Sequence, residues 1–338
     1  MFSLDDLHRA QRLISEVLQP TPQRRWPLLS ERLGTDVIVK HENQQVTGAF
    51  KVRGGLVYVD RMKRERSHVA GLVSATRGNH GQSIAFAGQR RDVAVTIFVP
   101  YGNSAEKNAA MRALGAELIE AGDDFDAAVE AARSFAVDNA HEMVPSFHRD
   151  LVLGVSTYAA ELMTAEPDLD VLYVPLGLGS GICGSIMARD LLGRKTEIVG
   201  VQAAGAPAYA LSFLAGRVVS TPTCSTRADG IATRVPNPEA LEIIRRGASH
   251  IVQVTDEEIA EAIRIYWTDA HSLAEGAGAA PLAAALKERE RLGNKKVGLV
   301  LSGGNIDLAL FAEWVLGQGA AQAGGSREAD DERKTVAA

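Results

Sequence analysis

Short apolar runs alternate with segments of helical periodicity along most of this chain of 338 residues. The run at 94–100 is rich in β-branched residues, which favour strands, and residues 105–114 after it have a helical pattern. Repeated strand–helix units predict an α/β protein with mostly parallel sheets that are covered by helices on both faces. The predicted strands are 37–40, 71–75, 94–100, 116–120, 171–175, 197–201 and 297–301; the predicted helices are 79–90, 105–114, 125–139, 151–163, one ending near 191, one from the N-cap Thr255 to 270, 275–290 with a kink or restart at Pro281, and 305–316.

The composition excludes several classes of protein. Acids outnumber bases by 42 to 36, so the basic footprint of a nucleic-acid-binding protein is absent. The longest apolar runs have strand length, well short of the ~20 residues that a membrane span needs. The first ten residues are charged and lack the apolar core of a secretory signal. The two cysteines, Cys183 and Cys224, cannot build a disulfide framework. We expect a cytoplasmic protein that binds neither nucleic acid nor membranes.

The positions of the glycines predict a ligand site. Three glycine-bearing stretches, at 74–82, 175–184 and 302–305, directly follow predicted strands, and a fourth, at 47–55, carries a lysine between its glycines. In α/β sheets, ligands bind beyond the carboxyl ends of the strands. We therefore expect the three strand-end stretches to contribute to one site.

The stretch with Gly177, Gly179 and Gly181 is typical of a phosphate site, because glycines permit close backbone approach and the following helix presents unpaired N–H groups. It lacks the GKS or GKT ending of a nucleoside-triphosphate loop, and its spacing does not fit the dinucleotide motif. A purely structural tight turn is an equally good interpretation of this stretch on its own.

Lys51 lies between Phe50 and Val52. An apolar setting disfavours the ammonium form and lowers the pKa of a lysine, which is the condition for a Schiff-base lysine. A surface charge is the common alternative for a lone lysine. Together, a phosphate cradle and a Schiff-base lysine indicate pyridoxal phosphate.

These motifs resemble the fold-type-II pyridoxal-phosphate enzymes, in particular the serine/threonine dehydratases and serine racemases. The resemblance covers residues 19–316 and includes the lysine motif at 47–55, the asparagine loop at 78–82, the phosphate loop at 177–181, the segment at 275–279 and the Ser-Gly-Gly-Asn motif at 302–305. It implies that the catalytic residue is Lys51. It also implies that the cofactor is bound by Phe50, Lys51, Asn79, Gly177, Leu178, Gly179, Ser180, Gly181, Glu275 and Ser302, and the substrate by Thr76, Arg77, Gly78, Asn79 and His80.

The same resemblance implies two open parallel-sheet domains of the tryptophan-synthase-β kind. Residues 1–52 and 153–316 would form a large cofactor-binding domain, and residues 53–152 a small mobile domain. The resemblance also implies a homodimer or homotetramer. Residues 317–338 lack apolar periodicity and are rich in Gly, Ala and charge, which predicts a disordered tail.

The implied reaction is elimination of the β-hydroxyl group of threonine or serine, giving a 2-keto acid and ammonia. Ser302 favours this reaction, because a neutral hydroxyl facing the pyridine nitrogen does not keep it protonated as a carboxylate would. A bulkier or acidic β-hydroxy amino acid, such as phenylserine or 3-hydroxyaspartate, is an alternative substrate. A pyridoxal-phosphate-binding protein without turnover is an alternative of another class.

Two departures from the family pattern are informative. Arg77 stands where serine racemases have the serine that acts as the second acid/base, and a permanently charged guanidinium disfavours racemisation. Arg77 either contacts a substrate carboxylate or forms a structural ion pair. The stretch at 202–208 has no carboxylate where relatives bind a divalent cation, so we expect no metal site.

Overall fold

The larger of two sheets has six strands in the order β1-β2-β10-β7-β8-β9. In this computed structural model, which describes residues 1–66 and 68–317, all neighbouring strands of this sheet run parallel except the antiparallel pair β1–β2. The strands are β1 (Gln23–Arg25), β2 (Asp36–His41), β7 (Val171–Pro175), β8 (Glu197–Ala203), β9 (His250–Val254) and β10 (Lys296–Leu301).

The second sheet has four strands, all parallel, in the order β5-β4-β3-β6. These strands are β3 (Gly71–Ala75), β4 (Ala94–Val99), β5 (Glu117–Glu120) and β6 (Glu142–Met143). The central strand β3 is buried along its whole length, which explains why it is apolar apart from Ser74. The two sheets, parallel apart from the pair β1–β2, confirm the predicted fold class.

Helices connect the strands of both sheets. They are α1 (Leu4–Ser15), α2 (Pro27–Leu33), α3 (Lys51–Glu65), α4 (Asn79–Arg90), α5 (Ala105–Ala113), α6 (Phe125–Asp138), α7 (Arg149–Ala165), α8 (Ser180–Leu191), α9 (Ala208–Ala215), α10 (Pro238–Gly247), α11 (Asp256–Ala270), α12 (Gly276–Lys287) and α13 (Leu308–Leu316). The predicted N-cap Thr255 forms a capping box with Glu258 at the start of α11. Within the described residues, no helix combines the length and apolarity that crossing a bilayer requires.

Helices α3 and α7 approach so closely that only glycine fits at their contact. A Cβ atom on Gly154 would lie 2.2 Å from the carbonyl oxygen of Arg53, and one on Gly54 would lie 2.8 Å from the carbonyl oxygen of Leu151. Backbone atoms cannot move aside as a flexible side chain can, so these glycines set the distance between the two helices. This packing fixes the first turn of α3, where Lys51 lies.

A buried ionic cluster fixes the same turn. The Arg53 side chain is 0% exposed and donates hydrogen bonds to Glu42 (Nε 2.8 Å, Nη2 2.9 Å) and to Glu161 (Nη1 2.6 Å, Nη2 3.0 Å). Lys40, also 0% exposed, donates to Glu161 at 2.5 Å. Glu42 follows β2 and Glu161 lies on α7, so Arg53 ties α3 to the large sheet and to α7.

Several predicted elements differ from the observed ones. Helix α12 runs through Pro281 without a restart, and the last helix begins at Leu308 rather than at residue 305. The prediction did not include eight of the observed helices and strands: α1, α2, α3, α9, α10, β1, β6 and β9. The predicted domain limits at 52/53 and 152/153 fall inside α3 and α7, so the division into two mobile bodies stays a prediction. The predicted disordered tail lies outside the described residues, apart from Gly317.

Candidate active site

The three strand-end glycine stretches follow β3, β7 and β10, and the segments they lead into meet the start of α3. Lys51 at the start of α3, His80 in the first turn of α4 and Ser180 at the start of α8 line one small cavity. Gly54, Ser146, Leu151 and Val155 complete its lining. The structure thus brings together residues from three of the predicted motifs.

Lys51 is the first residue of α3, and its backbone is held on both sides. Its carbonyl oxygen accepts a hydrogen bond from Ser83 Oγ at 2.6 Å, and the preceding Phe50 N–H donates to the carbonyl oxygen of Ser302 at 3.0 Å. The Nζ atom lies 5.0 Å from the centroid of the Phe50 ring. Burial lowers the pKa of the Lys51 amine, and the charge of Glu275 opposes this only in part. An amine with a lowered pKa therefore faces the cavity.

The start of α8 has the features of an anion site. Its N-cap residue, Gly179, has a left-handed φ of 102°, and no side chain caps the helix. The first N–H groups of a helix have no partner within it and lie at the positive end of its dipole. A Cβ atom on Gly179 would lie 2.9 Å from Ala240 Cβ, and one on Gly177 would lie 2.2 Å from the Gly230 carbonyl oxygen. Backbone donors and buried Ser180 thus suit a phosphate group, while Leu178 is at the exposed side of this loop.

Asn79 and Glu275 form the second polar part of the site. The Asn79 Nδ2 atom donates to the Glu275 carboxylate at 2.8 Å (Oε1) and 3.1 Å (Oε2). Burial raises the pKa of Glu275, and the hydrogen bond from Asn79 opposes that shift. The Asn79 Oδ1 atom accepts a hydrogen bond from Asn305 at 2.7 Å. Asn305 was absent from the predicted site residues, although the Ser-Gly-Gly-Asn motif contains it.

The residues of the predicted substrate loop, 76–80, differ in their exposure and in their hydrogen bonds. Thr76 is buried and its Oγ1 accepts a hydrogen bond from the Gly78 N–H at 3.1 Å. Arg77 is exposed, and within residues 1–66 and 68–317 its guanidinium has no ion-pair partner. The His80 Nε2 atom is buried without a hydrogen-bond partner in the described chain, and burial and Lys51 lower its pKa to about 3. A neutral imidazole is thus available to a bound molecule.

Two serines, Ser302 and Ser146, follow strands β10 and β6. Ser302 is 2% exposed at the end of β10, next to the bridge between Ala49 and Gly303 that joins two motifs. Ser146 lines the cavity from the segment after β6, where the sequence offered no signal beyond a turn. Among the described residues no group of three or more His, Cys, Asp or Glu side chains could hold a metal ion, and the absence of a metal site stays a prediction.

The chemistry of the residues around this small cavity suits a phosphorylated, lysine-linked cofactor: a helix start bounded by glycine, a buried amine and an imidazole nitrogen without a partner among the described residues. The fold and this site define the class of pyridoxal-phosphate enzymes with two parallel sheets. Comparison with known proteins agrees with this class. The family model described as pyridoxal-phosphate dependent enzyme matches residues 14–303, so the chain belongs to this family.

Three individual proteins are similar to this chain over most of its length. An L-threonine ammonia-lyase from Thermotoga maritima is 35% identical over 312 residues, which is 92% of this chain and 77% of the relative. An L-threo-3-hydroxyaspartate ammonia-lyase from Saccharomyces cerevisiae is 32% identical over 314 residues, 93% of this chain and 96% of the relative. The crystal structure of the T.th. threonine deaminase has a TM-score of 0.85 at 31% identity, and the match covers 91% of this chain and 99% of that chain.

Proposed function

We propose that this pyridoxal-phosphate enzyme eliminates the β-hydroxyl group of threonine or serine and releases a 2-keto acid and ammonia. The observation that carries the proposal is the Lys51 amine, whose pKa is lowered by burial and which lines one cavity with His80 and with the start of α8. Two of the similar proteins, an ammonia-lyase and a deaminase, bear the name of threonine.

Different groups of site residues bind the cofactor, bind the substrate and move the proton. The cofactor, when bound, supplies an electron sink that stabilises negative charge at the substrate Cα. Lys51 holds the cofactor, and its Nζ atom is the base that removes the Cα proton once substrate has taken its place. The backbone N–H groups at 179–181 bind the phosphate. Asn79, Glu275, Phe50 and Ser302 hold the ring, and the Thr76–His80 segment binds the substrate carboxylate.

Ser302 supports elimination over transfer of the amino group. A hydroxyl at the ring nitrogen would not hold a proton there as a carboxylate would, so the bound cofactor would be a weaker electron sink. A weaker sink would favour loss of the β-hydroxyl group as water over transamination, which needs a stronger sink. A Ser302→Asp variant is expected to lose elimination activity, and a gain in that activity would contradict this part of the proposal.

The experiment is a spectrophotometric 2-keto-acid assay on the cofactor-loaded protein with threonine and serine in both configurations. Lys51→Ala is expected to abolish keto-acid formation and the yellow absorbance of the protein. Lys63→Ala, on the exposed face of the same helix, is the matched control and should retain both. A yellow wild-type protein without turnover on any substrate would favour the alternative of a binding protein without catalysis. Racemisation of serine that exceeds elimination would contradict the argument from Arg77.

A second candidate is an acidic substrate such as 3-hydroxyaspartate, and the observation that favours it is Arg77. Arg77 follows Thr76 directly in the chain. Its guanidinium has no carboxylate partner within the described residues. The aliphatic part of Lys107 lies beside the same loop, 2.9 Å from where a Cβ atom on Gly78 would be, but its ammonium pairs with Asp229 at 3.3 Å. The yeast relative is named for L-threo-3-hydroxyaspartate.

Adding 3-hydroxyaspartate and phenylserine to the assay separates the candidates. If Arg77 binds a distal carboxylate, Arg77→Ala should lower kcat/KM for 3-hydroxyaspartate by about tenfold or more and leave serine nearly unchanged. Arg112→Ala, which removes an exposed arginine from α5, is the control. Equal effects of Arg77→Ala on both substrates would exclude a role in side-chain selection. Cytoplasmic location and a homodimeric or homotetrameric assembly remain parts of the proposal to be tested separately.

A further inference from the structure

One side-chain amide, that of Asn305, joins three of the glycine-bearing motifs. Its Nδ2 atom donates to the carbonyl oxygen of Thr47 at 2.8 Å and to Asn79 Oδ1 at 2.7 Å. Thr47 begins the lysine motif and Asn79 belongs to the asparagine loop, while Asn305 itself ends the Ser-Gly-Gly-Asn motif. The contact to Asn79 joins the segment after β10 to the segment after β3.

The donor and the acceptor in each of these hydrogen bonds can be assigned in only one way. A backbone carbonyl oxygen only accepts, so the group that Asn305 presents to Thr47 must be its NH2. The second hydrogen of the same nitrogen goes to Asn79, so the atom that Asn79 presents must be its oxygen. The NH2 group of Asn79 is thereby turned to the opposite side, toward Glu275.

Glu275 fixes this orientation by itself only while it is ionised. Burial raises its pKa, and a protonated carboxyl group can donate as well as accept. Either end of the Asn79 amide could then face Glu275. Asn305 removes this freedom, because its own orientation is set by the Thr47 carbonyl group and not by a group that titrates.

The backbone at Gly48 and Gly304 fixes the position of Asn305. Gly48 has a left-handed φ of 67°, and a Cβ atom there would lie 2.4 Å from Asn305 Oδ1. The Gly48 carbonyl oxygen accepts a hydrogen bond from the Gly304 N–H at 2.9 Å, which holds the two segments side by side. Any side chain at position 48 would displace the Asn305 amide.

We propose that Asn305 is a positioning residue that holds the NH2 group of Asn79 toward the cofactor site, so that the cofactor oxygen bound there must accept a hydrogen bond and is favoured in its ionised form. This inference rests on the proposed role of Asn79 as a cofactor contact. The NH2 group has two hydrogens, so it can serve Glu275 and the cofactor oxygen together. A donor to the charged form stabilises that form.

The test is the visible absorbance of the loaded protein between pH 6 and 9, because the form with an ionised ring oxygen absorbs at longer wavelength. Asn305→Asp places acceptors against Asn79, which should turn its oxygen toward the cofactor. The ratio of the long-wavelength to the short-wavelength band should fall by about tenfold or more. Asn305→Ser replaces the NH2 group, which makes both bonds, by a shorter hydroxyl without adding charge, and the ratio should fall by about threefold.

Two controls separate the explanations. Asn43→Asp adds the same charge beside Gly304 but outside the contacts of Asn79, and it should leave the ratio unchanged. Asn79→Ala should lower the ratio at least as much as Asn305→Asp. The melting temperature of each cofactor-free variant is measured alongside to establish that the fold is retained, and Asn305→Ser decides if Asn305→Asp fails to fold or to bind cofactor.

The outcomes are distinct. An unchanged ratio in Asn305→Ser, together with a lower ratio in Asn79→Ala, would overturn the role of Asn305 and leave that of Asn79 intact. An unchanged ratio in Asn79→Ala would overturn both the cofactor contact and the inference that rests on it. An equal loss in Asn43→Asp and Asn305→Asp, with none in Asn305→Ser, would assign the effect to charge alone and overturn the inference.

Discussion

Replacing Arg53 by methionine should destabilise the protein more than almost any other change to a charged residue. The side chain is 0% exposed and makes five hydrogen bonds, two to Glu42, two to Glu161 and one of 3.0 Å to Thr157. Without the guanidinium, the buried carboxylate of Glu42 and the partly buried one of Glu161 keep only the charge of Lys40 beside them. Removing one partner of a buried ion pair costs about 3–5 kcal/mol.

The assay is urea unfolding of the cofactor-free protein, followed by circular dichroism. Arg64→Met on the same helix is the matched control, because its side chain is 67% exposed and pairs with Asp60 at the surface. A pair of that kind contributes about 0–1 kcal/mol. In the double variant Glu42→Gln/Arg53→Met, part of the loss should be recovered, since one uncompensated charge is gone. A loss below about 1 kcal/mol for Arg53→Met would refute the argument from burial.

Three further predictions concern buried groups elsewhere. The pKa of His80 is lowered from 6.5 to about 3 in the folded protein, so the unfolded chain binds more protons below pH 6.5. As the pH falls from 7 to 5, this difference should lower the free energy of unfolding by about 2 kcal/mol. His80→Gln should flatten that slope in urea unfolding, and an unchanged slope would contradict the shift. A maleimide should label the exposed Cys224 but not the fully buried Cys183, whose thiol pKa is raised by burial, until denaturation exposes it; labelling of both in the native protein would contradict this. Gly154→Ala would drive a methyl group into the backbone of α3 and should cost about 1–3 kcal/mol in thermal unfolding, whereas Gly293→Ala, with nothing within 4 Å, should cost far less.

The strands and the helices that follow them were predictable because their signals are local. Residues 71–75 and 171–175 are short apolar runs, and both are strands with the predicted limits. The glycine stretches at their ends were recognisable as a site because parallel strands end at the same edge of a sheet. The family, the fold class and the cofactor were all predicted from these motifs and are confirmed.

The start of α3 was not predictable as a helix because its sequence argues against one. Gly54 and Gly55 lower helix propensity, yet both are needed: a Cβ atom on Gly54 would meet the backbone of α7, and one on Gly55 would lie 2.3 Å from Ser83 Oγ. The role of Asn305 was hidden for a related reason. Its partners Thr47 and Asn79 lie more than 200 residues away, and only the fold brings them together.

Strand β10 is the last strand in the part of the chain that the structure describes, yet it lies in the middle of the large sheet, between β2 and β7. During synthesis, the edges of β2 and β7 that will receive it stay unpaired until it leaves the ribosome. The roughly 260 residues between the ends of β2 and β10 take roughly 13–52 s to translate at ~5–20 residues per second. Unpaired edges of this kind pair readily with other chains. A nascent chain of this protein therefore carries the open edge of β2 while about 260 residues are added and that of β7 while about 126 residues are added, and a chain that stops before β10 never pairs either edge with it.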